Sequence, residues 1–248
     1  MATMEPMVVI VTGGGRGIGR AICHAYARNG ARVAIAERDE TTGRTTEREI
    51  RDEGGMAQFV QTDVGIPEQI APLMDETVGL YGRIDVMVNN AGFGRKGSPY
   101  DLSVSDWDDV MATNLRGAFL CARESARRMK ANGGGSIVNI GSIRATMPDP
   151  ESVAYAASKG GVIALTLALA SALAPDRIRV NCVSPGWIET PANEGASEPD
   201  DDRHRGRLVG QPDDIARACL YLSDPANDFI TGVNLVVDGG ITRRLVYD

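Results

Sequence analysis

The 248-residue chain has little cysteine and less histidine: four Cys and two His. Cys23, Cys121, Cys182 and Cys219 are scattered, with no CxxC pair and no His at zinc-ligand spacing. A disulfide scaffold is therefore excluded, and the thiols are expected to be reduced and mostly buried. His24 and His204 lie far apart, so no metal centre is expected. Positive charge is also scarce, with a formal net charge of -7 and a pI near 5.0. A protein that tracks phosphates carries a basic face, so nucleic acid and anionic membrane are poor partners. Long apolar runs are missing too. The longest, Gly160–Ala174, is interrupted by Thr166 and Ser171 and falls short of the ~20 residues that span a bilayer. Met1 to Met7 has no charged n-region and leads straight into the first expected strand, so no signal peptide is expected. These absences point to a soluble, cytoplasmic protein.

What is present is ordinary for a globular protein: 43% hydrophobic residues, 24% charged and 29 Gly. An α/β domain of about 250 residues can be one unit, so residues 1–248 are read as a single domain. Short β-branched runs alternate with helical patterns throughout. Val8–Val11, Arg32–Ala36, Ala57–Gln61, Ile84–Asn89, Ser136–Ile140, Arg179–Val183 and Val233–Val237 read as strands, apolar on both faces as in a covered parallel sheet. Gly17–Asn29, Thr41–Glu53, Pro67–Tyr81, Ser103–Lys130, Ser152–Ala174 and Pro212–Leu222 read as helices, with Ser103 and Ser152 as caps. The alternation predicts a doubly wound α/β Rossmann fold with helices on both faces of a parallel sheet. One irregular segment, 191–207, is acidic and then basic, and reads as a solvated loop placed to act as a substrate flap.

The first strand runs into Thr12-Gly13-Gly14-Gly15-Arg16-Gly17-Ile18-Gly19 and then a helix. Glycines let the backbone approach a pyrophosphate, and the helix N-terminus offers free N–H groups. Glu37 ends the second strand, eighteen positions after Gly19, where an acid can accept hydrogen bonds from ribose hydroxyls. The spacing predicts a dinucleotide site.

Tyr155 and Lys159 are spaced i, i+4 and share one helix face. An ammonium beside a phenol favours the phenolate, which makes Tyr155 competent for proton exchange. Ser142 ends a strand thirteen positions earlier, where its hydroxyl can hydrogen-bond a substrate oxygen. Arg144, Met147 and Trp187, beside Ser142 and Pro185-Gly186, are candidates to surround the reacting carbon. Arg144 could hold a carboxylate or polyol, or pair with Glu151 or another surface acid. Trp187 could be a substrate wall or hinge packing.

Taken in order, Thr12-Gly13-xxx-Gly17-x-Gly19, Asp63-Val64, Asn89-Asn90-Ala91-Gly92, Asn114, Ser142, Tyr155-xxx-Lys159, Pro185-Gly186 and Thr190 resemble the short-chain dehydrogenase/reductase family over essentially the whole chain. The resemblance implies a seven-stranded parallel sheet, usually a tetramer, and a nicotinamide cofactor. It implies that Asp63 and Val64 flank the adenine and that Asn90, Ala91 and Gly92 line the cofactor. Ile188 and Thr190 would meet the carboxamide and phosphates. Asn114 would anchor a water relay from Lys159, and Lys159 would also hold the nicotinamide ribose. For the choice of cofactor, Glu37 would repel a 2′-phosphate and favours NAD. Arg16 and Arg38 keep NADP open. The expected activity is hydride exchange between the cofactor and a small or polar secondary alcohol or ketone, with no metal. The alternatives are an NADP-dependent ketoacyl-reductase-like enzyme and, against the intact Asn114, Ser142, Tyr155 and Lys159, a non-catalytic dinucleotide sensor. Broad apolar content in Ser103–Lys130 and Ser152–Ala174 further predicts burial in a symmetric helix–helix interface.

Overall fold

The structure is a computed structural model that describes residues 6–190 and 209–243. Strands β1 (Val8–Thr12), β2 (Arg32–Glu37), β3 (Met56–Gln61), β4 (Val86–Asn89), β5 (Gly135–Ile140), β6 (Ile178–Pro185) and β9 (Asn234–Val237) form one sheet. Its order is β3-β2-β1-β4-β5-β6-β9, and every neighbouring pair is parallel. A second pair, β7 (Trp187–Ile188) with β8 (Val209–Gly210), is too short to announce itself by alternation. The residues predicted to be strands are strands here, within two positions at each end.

β1 is buried along its whole length and β4 likewise, because helices cover both faces of the sheet. Helix α1 (Gly17–Arg28) packs with α7 (Pro212–Ser223) on one face, burying Ile22, Cys23, Tyr26, Ile215, Cys219 and Leu222 with the sheet residues Val9, Val11 and Val33. On the other, α3 (Ile70–Tyr81) and α5 (Ala118–Ala131) bury Ile70, Leu73, Met74, Cys121 and Met129 against Ile10, Met87 and Ile137. Each Val, Leu, Ile or Met among them contributes about 1.5–3 kcal/mol by its burial. All four cysteines are free and buried, as expected. Burial raises the Cys121 thiol to about 12, and the other three are also raised.

Three local expectations are corrected. The helix predicted over Ser103–Lys130 is α4 (Val104–Met111), a π-helical turn (Ala112–Gly117) and α5. Ser103 caps α4 by accepting from the Asp106 N–H at 3.0 Å. Ser152 does not cap α6 (Val153–Leu173): its hydroxyl donates to the Asp149 carbonyl and accepts from the Asp149 N–H, closing the turn before the helix. The apolar run Gly160–Ala174 also understates its helix, since Val153–Asp176 is long and apolar enough by composition to cross a membrane. α6 instead packs along β6, with Ser158, Lys159, Val162, Thr166 and Ala170 buried. The remaining helix, α2 (Glu40–Asp52), covers β2 and β3 and is capped by Asp39, whose carboxylate accepts from the Thr42 N–H.

Candidate active site

Strand order reverses between β1 and β4, and a crevice opens there at the carboxyl ends of the strands. Thr12 stitches its two sides together. Its Oγ1 accepts from the N–H groups of Asn90 and Ala91, both at 3.0 Å, while the Asn90 Nδ2 donates to the carbonyls of Thr12 and Gly13. The cleft, about 480 Å³, is lined by nearly every residue expected of it. Gly13, Arg16, Gly17, Ile18, Gly19, Glu37, Arg38, Asp63, Val64, Asn90, Ala91, Gly92, Ser142, Tyr155, Lys159, Pro185, Gly186, Ile188 and Thr190 all reach it.

The glycine turn fits a dinucleotide. Gly13 and Gly17 have φ of 65° and 52°, left-handed values that L side chains avoid. A Cβ on Gly19 would lie 2.0 Å from the Gly13 carbonyl oxygen, so the turn has no room for a side chain there. Helix α1 starts without a side-chain cap or an acid in its first turn, which leaves its amides to a phosphate. At one end of the cleft, the buried Glu37 carboxylate accepts from the N–H groups of Gly15 (3.2 Å), Arg38 (2.9 Å) and Asp39 (3.1 Å). Arg16 and Arg38 have exposed side chains along the same stretch of wall.

At the opposite end, α6 presents Tyr155 and Lys159. The Lys159 ammonium is buried, donates to the Ile140 carbonyl at 2.7 Å, and lies 5.6 Å from the centre of the Tyr155 ring. Ser142 leaves β5 in an extended conformation, with its Oγ accepting from the Arg144 N–H at 3.1 Å, so its own proton remains to donate. Asn114 sits in the π-turn, buried behind the cleft. Its Oδ1 accepts from the Phe93 N–H, and its Nδ2 donates to the Phe93 carbonyl and to Ser158 Oγ.

Three substrate candidates, Arg144, Met147 and Trp187, do not join this wall. Arg144 turns toward the Met147 carbonyl (3.4 Å) and Asp149 (3.7 Å), a surface acid as one of its readings supposed, and not toward Glu151. Trp187 is half-buried on β7, paired with Val209. The expected flap, 191–207, lies outside the described residues. Conversely, Phe93, Thr62, Thr113, Ile140 and Gly141 line the cleft without having been singled out. Phe93 could have been found by its place directly after Gly92. Thr113 could not, because only the π-turn brings it round. Among the described residues no cluster of three or more His, Cys, Asp or Glu could hold a metal.

A parallel doubly wound sheet with a glycine-lined cleft at its switch point defines a nucleotide-binding architecture. The family model described as "Enoyl-(Acyl carrier protein) reductase" matches residues 13–242. An "Uncharacterized oxidoreductase" of Thermotoga maritima is 42% identical over 99% of both chains. The cis-4-hydroxycyclohexanecarboxylate dehydrogenase of Sinomonas cyclohexanicum is 38% identical over 95% of this chain and 96% of its own. A crystal structure of a short-chain type dehydrogenase/reductase from Mycobacterium marinum superposes with a TM-score of 0.88, at 35% identity and 96% coverage of each chain. The chain belongs to the short-chain dehydrogenase/reductase family and is an oxidoreductase of that type. The family works with a nicotinamide cofactor, NAD or NADP.

Proposed function

We propose that this protein is a cytoplasmic, NAD-dependent dehydrogenase that interconverts a small or polar secondary alcohol and its ketone, with Tyr155 as acid and base. The observation that carries this reading is one continuous cleft with Glu37 at one end and Ser142, Tyr155 and Lys159 at the other. When bound, the nicotinamide accepts or supplies the hydride. In oxidation the Tyr155 phenolate oxygen takes the proton of the substrate hydroxyl, and in reduction the phenol returns it. Ser142 Oγ donates a hydrogen bond to the substrate oxygen and stabilises the charge that develops there. The buried Lys159 ammonium stabilises negative charge on the phenolic oxygen, holds the nicotinamide ribose, and exchanges protons with solvent past Asn114.

NAD is favoured because three backbone N–H groups fix the Glu37 carboxylate, which therefore cannot withdraw from a 2′-phosphate without losing them. Arg16 and Arg38, on the same wall, support a second reading as an NADP-dependent ketoreductase. A small polar substrate agrees with the Sinomonas relative, named for a hydroxycyclohexanecarboxylate. Residues 1–248 act as one domain in a homo-oligomer, a tetramer by family resemblance.

The test is turnover of a panel of secondary alcohols, polyols, hydroxyacids and ketones with NAD(H) and NADP(H), beside Tyr155→Phe. The variant should lose about 10²–10⁴ in kcat. A variant as active as the parent would remove Tyr155 from the chemistry. Tight dinucleotide binding with no turnover on any substrate would favour the sensor.

A further inference from the structure

Ser158 is wholly buried, one residue before Lys159 and nearly one helical turn after Tyr155. Its hydroxyl has a single proton, donated to the Tyr155 carbonyl at 2.7 Å, so toward Asn114 it can act only as an acceptor. It fills that role, receiving the Asn114 Nδ2–H at 2.9 Å. The other side of the Asn114 amide is spent on the Phe93 backbone, accepting from its N–H at 3.0 Å and donating to its carbonyl at 2.9 Å. The amide therefore bridges three elements: the π-turn that carries it, the loop after β4, and α6. Ser158 is the point where that bridge meets the helix bearing Tyr155 and Lys159.

The bridge lies beside the reacting groups. A Cβ built on Gly92 would fall 3.1 Å from Asn114 Oδ1 and 3.3 Å from Lys159 Nζ, so the amide and the ammonium approach the same face of the Gly92 backbone. One built on Gly94, next to Phe93, would lie 3.5 Å from the Tyr155 ring. A rotation of the Asn114 amide thus disturbs the backbone over the tyrosine and the surroundings of the ammonium together.

We infer that Ser158 is a positioning residue for proton exchange, which locks the Asn114 amide and through it the placement of Lys159 and of the 92–94 backbone against Tyr155. The inference rests on the proposed role of Tyr155. Removing the hydroxyl leaves a buried Nδ2–H with one acceptor fewer, and the amide relaxes toward another partner.

The experiment uses the full chain, with Ser158→Ala and the volume-conserving Ser158→Cys, which offers only a weak acceptor. Oxidation should fall about tenfold in kcat, the scale expected of a misplaced reacting group, while KM for the dinucleotide holds within about twofold. The pH profile of kcat should differ from the parent's, because Lys159 and the 92–94 backbone no longer keep their places against Tyr155. In an Asn114→Ala background the Ser158 change should add nothing further. Hydrogen exchange at the Phe93 amide should speed up in both Ser158 variants, a readout that needs no substrate. Effects that multiply in the double variant, or a pH profile that superposes on the parent's while only Tm falls, would overturn the inference. Parent protein with no turnover would instead defeat the proposed function, and the Phe93 exchange rate would still decide whether Ser158 locks the amide.

Discussion

At the scale of single residues, this site depends on where side chains are missing as much as on where they reach. The Gly13 carbonyl occupies the space into which a Gly19 Cβ would project, 2.0 Å away. Gly19→Ala must therefore open the turn, and an overpacked site of this kind costs about 1–3 kcal/mol. We expect a lower Tm by thermal melt and loss of dinucleotide binding by titration calorimetry; parent-like binding would show that the turn yields freely. Glu37 makes the complementary case. Its charge, and not only its shape, is what a 2′-phosphate would meet. Glu37→Gln removes the charge and keeps one acceptor oxygen, enough for the Arg38 and Asp39 N–H groups, while its amide nitrogen gives up the bond from the Gly15 N–H. The NAD/NADP ratio of kcat/KM should fall roughly 10- to 100-fold in this variant, the equivalent of ~1.4–2.8 kcal/mol. An unchanged ratio would shift the weight to Arg16 and Arg38.

At the scale of elements, much was legible in advance because a covered parallel strand and an amphipathic helix leave different periods in the sequence. β1, β2 and β3 and helices α1 and α2 fall where β-branched runs and helical spacing predict them. The π-turn at Ala112–Gly117 was not legible, since one widened turn barely disturbs the hydrophobic spacing on either side. Nor was the Phe93–Asn114–Ser158 bridge, whose members stand 21 and 44 residues apart and carry no shared pattern. Helix α5 adds a polar feature of the same kind. Glu124 is buried and accepts from Arg123, Arg127 and Arg128, and Arg128 reaches on to Asp75 of α3. Burial pushes its carboxyl upward, but the hydrogen bonds from Arg128, Arg127 and Arg123 outweigh it and hold the group below the usual glutamate range. A carboxyl lowered on folding stabilises the native state above its unfolded value, about 4.3, and that contribution fades as pH falls through the lowered one. Glu124→Gln should therefore lower Tm clearly at pH 7, and the gap from the parent should close toward pH 3. A gap of equal size at both pH values would mean that packing, not charge, accounts for the loss.

At the scale of the whole molecule, α6 raises the question of what covers it. Its buried stripe faces the sheet, yet its most apolar stretch is only 28% buried within one chain. Leu167 is 55% exposed, and Phe119 of α5 is exposed as well. Met111, Leu115, Phe119, Leu165 and Ala168 line a shallow groove rimmed by Asp108, Asp109 and Arg116. Broad apolar content is what composition predicted for the two long helices, and an apolar surface of this width is not left in water without consequence. We predict that a second copy of this chain covers the groove with its own, the self-complementary arrangement of a two-fold interface. Light scattering should therefore give a multiple of the 26.4 kDa chain mass. Ala168→Arg, which places a charge in the groove and leaves the catalytic face of α6 untouched, should dissociate the assembly and keep the native circular dichroism spectrum. A monomeric mass for the parent protein would defeat the prediction. A monomeric but fully active variant would show that each cleft works alone, with self-association serving only to bury the outer face of α6.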